Sequence, residues 1–453
     1  MILAVFEGGA LFLAVCATAL LWAGPPLLDV TDAVQVLAQA FVLSACCIVA
    51  FYYNDLYDLR VVRSMSGVAS RLVQAFGVAL ILLATFYTFF PDMRVAGGPL
   101  VSSLLVTAVF LLPLRAAAYA VMRSRLFTQR VLILGATPLA LKIIYEIEAQ
   151  PHLGYEIVGV ADDHDAPGVE ALQFPTVVHG PLEHLDKIID EIHPDRIIVA
   201  LSERRGRLPV RQLLAAQRQG IVTEDGLPVY ERLSCKVAIE SLAPSQLIFS
   251  ADFKKSRLEL LASRAISLAV SLVALIAFAP LIAVIALAVK LDSRGPVLFV
   301  QSRVGFHGKS FRLIKFRTMH PRRGGTADAS EWARDNSERI TRLGRWLRAF
   351  RLDELPQFVN VLRGDLNLVG PRPHPVSNFD YFMEHIPYYA VRTAARPGVT
   401  GWAQIRYGYA NNLEEEIEKM RYDLYYIKHL SPALDVRILF DTIKIVVFGR
   451  GAQ

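Results

Sequence analysis

At 453 residues the chain is longer than one ordinary domain, so two or three folding units are expected. Apolar residues make up 53% and the formal net charge is +6, which argues against a wholly water-soluble protein and for partners of negative charge, anionic lipid or phosphorylated substrates. No zinc-finger or RNA-binding signature accompanies the basic excess, so nucleic acid is set aside as a partner.

Residues 1–125 hold four apolar stretches, near 10–28, 34–53, 72–90 and 100–122, each close to the ~20 residues that cross a bilayer. The first is no cleaved signal peptide, because no positive residue precedes it and three more stretches follow. Arg60, Arg63 and Arg71 lie between the second and third, and Arg123, Arg125 and Arg130 follow the fourth. The other links carry Asp29, Asp32 and Asp92, with Arg94 as a cation. By the positive-inside rule both chain ends then face the cytoplasm. Little charge besides Arg115 lies within the stretches, which favours a four-helix transmembrane anchor over a channel. Cys16, Cys46 and Cys47 sit in these apolar runs and read as buried thiols, with a reducing compartment for the catalytic part.

From 126 to 250 short β-rich runs alternate with helical ones. Strands are expected near 130–135, 155–160, 176–178, 196–200 and 221–222, and helices to about 150 and over 182–192 and 209–219. That order predicts a Rossmann-like parallel α/β domain. Asp162 and Asp163 stand where a ribose-binding acid would, after the second strand. The phosphate fingerprint is poor, however. Gly135-Ala-Thr-Pro keeps only its first glycine, Thr137 occupies a position where bare backbone must approach a pyrophosphate, and Pro138 removes a donor. A scaffolding or regulatory role is expected.

Arg264–Val289 is apolar enough to span, yet basic residues flank both sides: Lys254, Lys255 and Arg257 before it, Lys290, Arg294 and Arg303 after it. Both flanks then prefer the cytoplasm, and Pro280 sits near the middle. A re-entrant hairpin of two half-helices is expected here, opening a third, catalytic α/β domain over 251–453.

Within that domain, Lys315 and Arg317 alternate with Ile314 and Phe316, so a strand would aim both cations at one face. Residues 321–337 read as a polar loop. Ile340, Leu343, Trp346, Leu347 and Phe350 recur at helical spacing among Arg339, Arg342, Arg345 and Arg348, a basic amphipathic helix suited to the core or to a membrane surface. Asp353 and Glu354 follow, at the start of a short helix whose first turn accommodates Pro356. Arg351 and Arg372, the latter between two prolines, complete a cluster of acid and guanidinium suited to phosphoryl chemistry. Arg396–Gly401 reads as a turn, 414–428 as a charged helix and 434–448 as an amphipathic one. The ten histidines show no metal-ligand spacing, so zinc is not expected.

Gln301, Arg303 and Gly305, then Lys315-Phe-Arg-Thr-Met319, Leu352-Asp-Glu-Leu-Pro-Gln357, Gly364-Asp-Leu-Asn-Leu-Val-Gly-Pro-Arg-Pro373 and Arg396-Pro-Gly-Val-Thr-Gly-Trp-Ala-Gln404 occur in order. Together they resemble the bacterial sugar transferases, in the large form that carries a four-span anchor and a nucleotide-fold-like middle. The resemblance implies transfer of a sugar 1-phosphate from a UDP-sugar to undecaprenyl phosphate, the first membrane step of exopolysaccharide or O-antigen synthesis at the bacterial inner membrane. Asp353 is implied as the nucleophile that expels UMP, and Glu354 as a holder of Mg²⁺. Arg303, Lys315, Arg317, Arg348 and Arg372 are implied as phosphate-binding groups. Asp365 is open between a second metal or base residue and a turn aspartate. The resemblance also leaves a homodimer open. Two departures stand out: Ala279 precedes Pro280 where the family commonly has serine, and Arg351 replaces a small polar residue. The rival reading is a membrane-anchored, NAD-dependent nucleotide-sugar dehydratase or epimerase, which would need a better Gly-rich loop and a Tyr-x-x-x-Lys base.

Overall fold

In the computed structural model, which describes residues 2–23, 30–57, 65–95, 97–123, 128–163, 173–204, 206–241, 255–320, 339–408 and 410–448, the chain opens with four long helices. These are α1 (Ile2–Ala23), α2 (Val30–Tyr53), α3 (Met65–Phe89) and α4 (Gly97–Arg123). Ala33–Tyr53, Ser70–Phe89 and Gly97–Ala117 are long and apolar enough to cross a membrane, whereas Phe6–Leu21 of α1 is apolar but shorter. Leu11, Leu43, Phe51, Leu83 and Leu111 fill their shared seam, and Ala40, Ala50, Ala75 and Ala79 let the backbones approach. Leu21, Val73 and Phe110 point outward, exposed. Arg115, the charge that the sequence places within the fourth apolar stretch, does not face outward. It is buried, and its Nε and Nη2 donate to the two oxygens of Glu7 at 2.6 and 2.7 Å, while Nη1 donates to Leu56 O at 3.2 Å. The expected loop charges Asp29, Arg60, Arg63, Arg125 and Lys254, and the loop over 321–337, lie outside the described residues.

Two compact units divide the chain: Met1–Val131 with Ile147–Val158 and His193–Asp195, and Leu132–Glu146 with Gly159–Ile192 and Arg196–Gln453. The middle of the chain forms a five-stranded sheet of order β3-β2-β1-β4-β5, from β1 (Gln129–Leu134), β2 (Tyr155–Ala161), β3 (Val178–His179), β4 (Arg196–Val199) and β5 (Val222–Asp225). Pairs β2–β3 and β4–β5 are parallel. The connecting helices are α5 (Pro138–Glu148), α6 (Leu185–Ile192) and α7 (Val210–Arg218), and α8 (Gly226–Ser234) follows β5. Val131–Leu134 are buried without alternation, as a strand covered on both faces requires.

Helix α9 (Arg257–Asp292) runs 36 residues from a Ser256/Glu259 capping box, with Pro280 inside it. The expected break into two half-helices is therefore replaced by one unbroken helix. A proline deletes a single internal N–H, and a long helix absorbs that as a bend rather than an end. Its start and its finish both pack on the C-terminal domain: Arg264 donates to Val361 O and Leu366 O at 2.7 Å each, and Ile285 and Val289 are buried with Phe316, Leu347 and Leu355.

The antiparallel pair β6 (Leu298–Val304) and β7 (Ser310–Phe316) leads to α10 (Arg342–Ala349), then α11 (Gln357–Arg363), β8 (Asn367–Val369), α12 (Val376–His385), β9 (Gly398–Thr400), α13 (Trp402–Arg406), α14 (Leu413–His429) and α15 (Pro432–Phe448). Residues 398–400, expected as part of a turn, are a strand paired in parallel with β8. The glycines explain it: a Cβ on Gly398 would lie 2.1 Å from Gly370 N, so only bare backbone lets the two segments meet. The domain core is built on Trp402, Tyr389, Phe382, Met420, Leu424 and Leu368. Val237 and Ile239, just past α8, belong to that same core, and Trp402 Nε1 donates to Cys235 O at 3.0 Å.

Candidate active site

Between α10 and α11 the chain turns through Arg351, in the left-handed region at φ +53°, into a 3₁₀ turn over Leu352–Glu354. The paired carboxylates thus sit in the turn before α11, with Pro356 as the helix's N-cap residue, rather than in the helix itself. The turn buries both side chains, leaving Asp353 and Glu354 each 8% exposed. Glu354 Oε1 accepts from Arg372 Nη2 at 3.0 Å. Burial works against the charge on Glu354, but Arg372 and Arg351 outweigh it and hold the carboxyl below its usual range. Asp353 goes the other way. Burial and the neighbouring Glu354 charge push it up to about 6, against the opposing pull of Lys315, Arg348 and Arg372. Four of the expected groups therefore converge on Asp353: Glu354, Lys315, Arg348 and Arg372.

Lys315 comes from β7, where its ammonium lies 5.3 Å from the ring of its cross-strand neighbour Phe299, and Arg348 from the last turn of α10. Arg317 is placed elsewhere. It falls one residue beyond β7 and donates to Ser293 O at 2.7 Å, to Val289 O at 3.4 Å and, over a short bond, to Pro296 O, which caps the C-terminus of α9. Arg303 donates to Pro373 O at 3.0 Å and to Gln301 Oε1 at 2.6 Å. Asp365, after Gly364 at the end of α11, accepts from Asn360 Nδ2 at 3.0 Å. Asn360 is fully buried, accepts from Ile314 N and donates to Arg312 O, so this set of bonds ties β7 to α11. Pro280 lies on α9, in the membrane-length segment.

The residues that sequence reasoning passed over are behind Arg372. Arg392, Glu416, Asp423, Lys419 and Tyr389 are all buried, and Arg392 Nη2 donates to Arg372 O at 3.2 Å. His374 Nε2 lies 3.1 Å from Glu416 Oε1, and burial drives the imidazole down to about 4, so it is neutral at pH 7. A signal did exist: Glu416 and Asp423 fall on the same helical face as Met420, Leu424 and Ile427, and acids on an apolar stripe announce buried partners.

The middle domain offers a second candidate in the loop after β1. Its donors are taken by the chain itself. Ala136 N donates to Asp162 Oδ2 at 2.7 Å, Arg207 donates to Asp162 at 2.6 Å and to Asp163 at 3.0 Å, and Thr137 Oγ1 donates to Ala200 O while accepting from Ala140 N. A carboxylate thus stands on the backbone N–H that would meet a phosphate in a dinucleotide fold.

Among the described residues no group of three or more His, Cys, Asp or Glu could by itself hold a metal ion. Glu354, held in its ionised form by Arg372 and Arg351, nonetheless suits Mg²⁺, which binds through one or two carboxylates and completes its shell with substrate phosphate oxygens and water.

A family model described as bacterial sugar transferase matches residues 258–449, and one described as CoA-binding domain matches residues 52–219. The chain is 39% identical over 233 residues to the UDP-N-acetylgalactosamine-undecaprenyl-phosphate N-acetylgalactosaminephosphotransferase of Aeromonas hydrophila, covering 50% of this chain and 54% of that one. It is 33% identical over 335 residues to the undecaprenyl-phosphate glucose phosphotransferase of Komagataeibacter xylinus, with 73% and 61% covered. With the UDP-glucose:undecaprenyl-phosphate glucose-1-phosphate transferase of Klebsiella pneumoniae it shares 32% over 324 residues, with 70% and 67% covered. The match thus spans only about half to two thirds of these relatives' own length.

Proposed function

The chain belongs to the bacterial sugar transferase family, and from that membership and the buried carboxylate pair we propose that it transfers a sugar 1-phosphate from a UDP-sugar to undecaprenyl phosphate. The observation that carries this reading is Asp353: a buried carboxylate, mostly ionised at pH 7, under the charges of Lys315, Arg348 and Arg372. An Asp353 oxygen attacks the β-phosphorus of the donor, the bond to the bridging oxygen breaks, and UMP leaves with the electron pair. The sugar-phosphoryl aspartate is then attacked at the same phosphorus by an oxygen of undecaprenyl phosphate, which restores the carboxylate and gives undecaprenyl-diphosphate sugar. Two displacements let donor and lipid use one site in turn. Lys315, Arg348 and Arg372 stabilise the charge that spreads over the phosphoryl oxygens. Glu354 would hold Mg²⁺, which would supply further neutralisation of the diphosphate.

We read α9 as entering the inner leaflet and returning to the cytoplasmic side. A straight helix would hold Arg264 and Ile285 about 32 Å apart, yet Arg264 donates to Val361 O within α11 and Ile285 is buried in the cluster that includes Leu355, two residues before α11. A bend at Pro280 satisfies both contacts. Trp346, 68% exposed and stacked on Phe350 among the arginines of α10, suits the headgroup layer. The sheet domain serves as scaffold in this reading, because its loop donors are spent on Asp162 and Thr137; the same contacts weigh against an NAD-dependent dehydratase.

The test is UMP release from a panel of UDP-sugars, with and without undecaprenyl phosphate and Mg²⁺. One or two donors should give UMP, and Asp353→Asn should abolish it, as removing a covalent nucleophile does. Full turnover by Asp353→Asn would remove Asp353 from the role.

A further inference from the structure

The segment Pro371-Arg-Pro-His-Pro375 brings three prolines and hence few backbone donors, and four of its carbonyls are held by other parts of the chain. Gly398 N donates to Pro371 O at 3.0 Å and Val304 N to His374 O at 2.9 Å. Arg303 Nη1 donates to Pro373 O at 3.0 Å. The carbonyl of Arg372 itself is taken by Arg392 Nη2 at 3.2 Å. The first three donors belong to β9 and β6, but Arg392 sits in a 3₁₀ turn over Tyr389–Ala394 and needs holding in its own right. Asp423 Oδ2 accepts from its Nε at 2.9 Å, Glu416 Oε1 lies 3.6 Å from its Nη1, and Tyr389 Oη accepts from Nη1 over a short bond while donating to Glu416 at 3.0 Å. Lys419 Nζ donates to the other oxygen of Glu416 at 3.2 Å.

Arg392 is 5% exposed, and Glu416 and Asp423 are each 1% exposed. Withdrawing such charges from water costs more than apolar packing would, so a network like this is weak evidence for stability and better explained by orientation. The orientation it sets is that of the backbone carrying Arg372. We propose that Arg392 is a positioning residue: through the Arg372 carbonyl it fixes the backbone from which the Arg372 guanidinium reaches Glu354, and Glu416 and Asp423 of α14 fix Arg392 in turn. This rests on the transferase reading above, because it assigns Arg392 a part in the same phosphoryl transfer.

A kinetic double-mutant cycle on the full-length protein in lipid nanodiscs tests it, with UMP release followed for wild type, Arg392→Lys, Arg372→Gln and the pair. Lysine keeps the charge but loses the forked geometry. Arg392→Lys should lower kcat about 10²-fold, as small misplacements of a reacting group do, with a smaller change in KM for the donor. Added to Arg372→Gln it should lower kcat by less than about threefold, since the group it positions is already gone. A multiplicative loss in the pair would overturn the proposal and leave a structural role. Should Arg392→Lys fail to fold, Asp423→Asn, of the same shape, replaces it in the cycle with the same two outcomes. No UMP from wild type with any donor would overturn the transferase reading and this inference with it; turnover by wild type with a multiplicative cycle would overturn this inference alone.

Discussion

Asp353 and Glu354 are neighbours in the chain and equally buried, yet their surroundings push their carboxyls in opposite directions. Arg372 touches Glu354 and keeps it charged; burial, and then its neighbour's charge, raise Asp353, which gets only longer-range help from Lys315, Arg348 and Arg372. Because Asp353 acts as its anion, activity is lost as pH falls through its raised value near 6 and is complete about one unit above. We expect kcat/KM for the donor to drop about fivefold from pH 6 to pH 5 and to level off above pH 7. A profile flat down to pH 5 would show an Asp353 that is not raised. Of this cluster, the chain itself displayed Asp353, Glu354, Lys315, Arg348 and Arg372: the carboxylates are adjacent, Arg372 stands between two prolines, Lys315 follows a strand's alternation and Arg348 a helix's spacing. What it hid was division of labour. Arg303 and Arg317 carry the same charge as Lys315 but spend it on backbone carbonyls, and nothing in spacing separates a cation facing substrate from one capping a helix.

At the scale of elements, close approach decides more than propensity. The pair β8–β9 exists only because Gly370, Gly398 and Gly401 bring no side chain to the crossing. Gly398→Ala would place a Cβ 2.1 Å from Gly370 N and 2.4 Å from Thr400 O, both backbone atoms that cannot swing away. We expect a loss of about 3 kcal/mol or more, read as a lower unfolding midpoint together with lost activity. Helix α10 shows the same device, since a Cβ on Gly344 would lie 2.2 Å from Thr318 O. It also shows how one amphipathic pattern serves two purposes: Leu347 is buried while Trp346 is open to its surroundings. Pro280 was visible in the sequence, but whether it ends or bends α9 depends on contacts made by Arg264 and Ile285 with a domain far along the chain.

At the scale of the whole molecule, the N-terminal helices are tied by a charge pair between residues 7 and 115, whose side chains are 0% and 1% exposed. Removing one partner leaves a charge buried without its mate, a loss of about 3–5 kcal/mol. Glu7→Gln should therefore lower the yield of monodisperse, detergent-extracted protein. The double change Glu7→Met with Arg115→Met should restore it, because no unpaired charge remains. Equal yields from the single variant and wild type would show the pair to be dispensable.

Periodicity and composition alone determined the sequence of architectures: apolar helices, an alternating α/β sheet, a long apolar helix and a basic C-terminal domain. Those signals are local, since side-chain pattern along one element follows from what that element buries. The carboxylate pair was legible for the same reason, being contiguous. Tertiary structure alone decided which residues meet across tens or hundreds of positions: Glu7 with Arg115, Asp162 with the loop after β1, and Arg392 with Arg372. Such pairings depend on which buried polar groups find partners once the chain is packed, and no local periodicity carries that information.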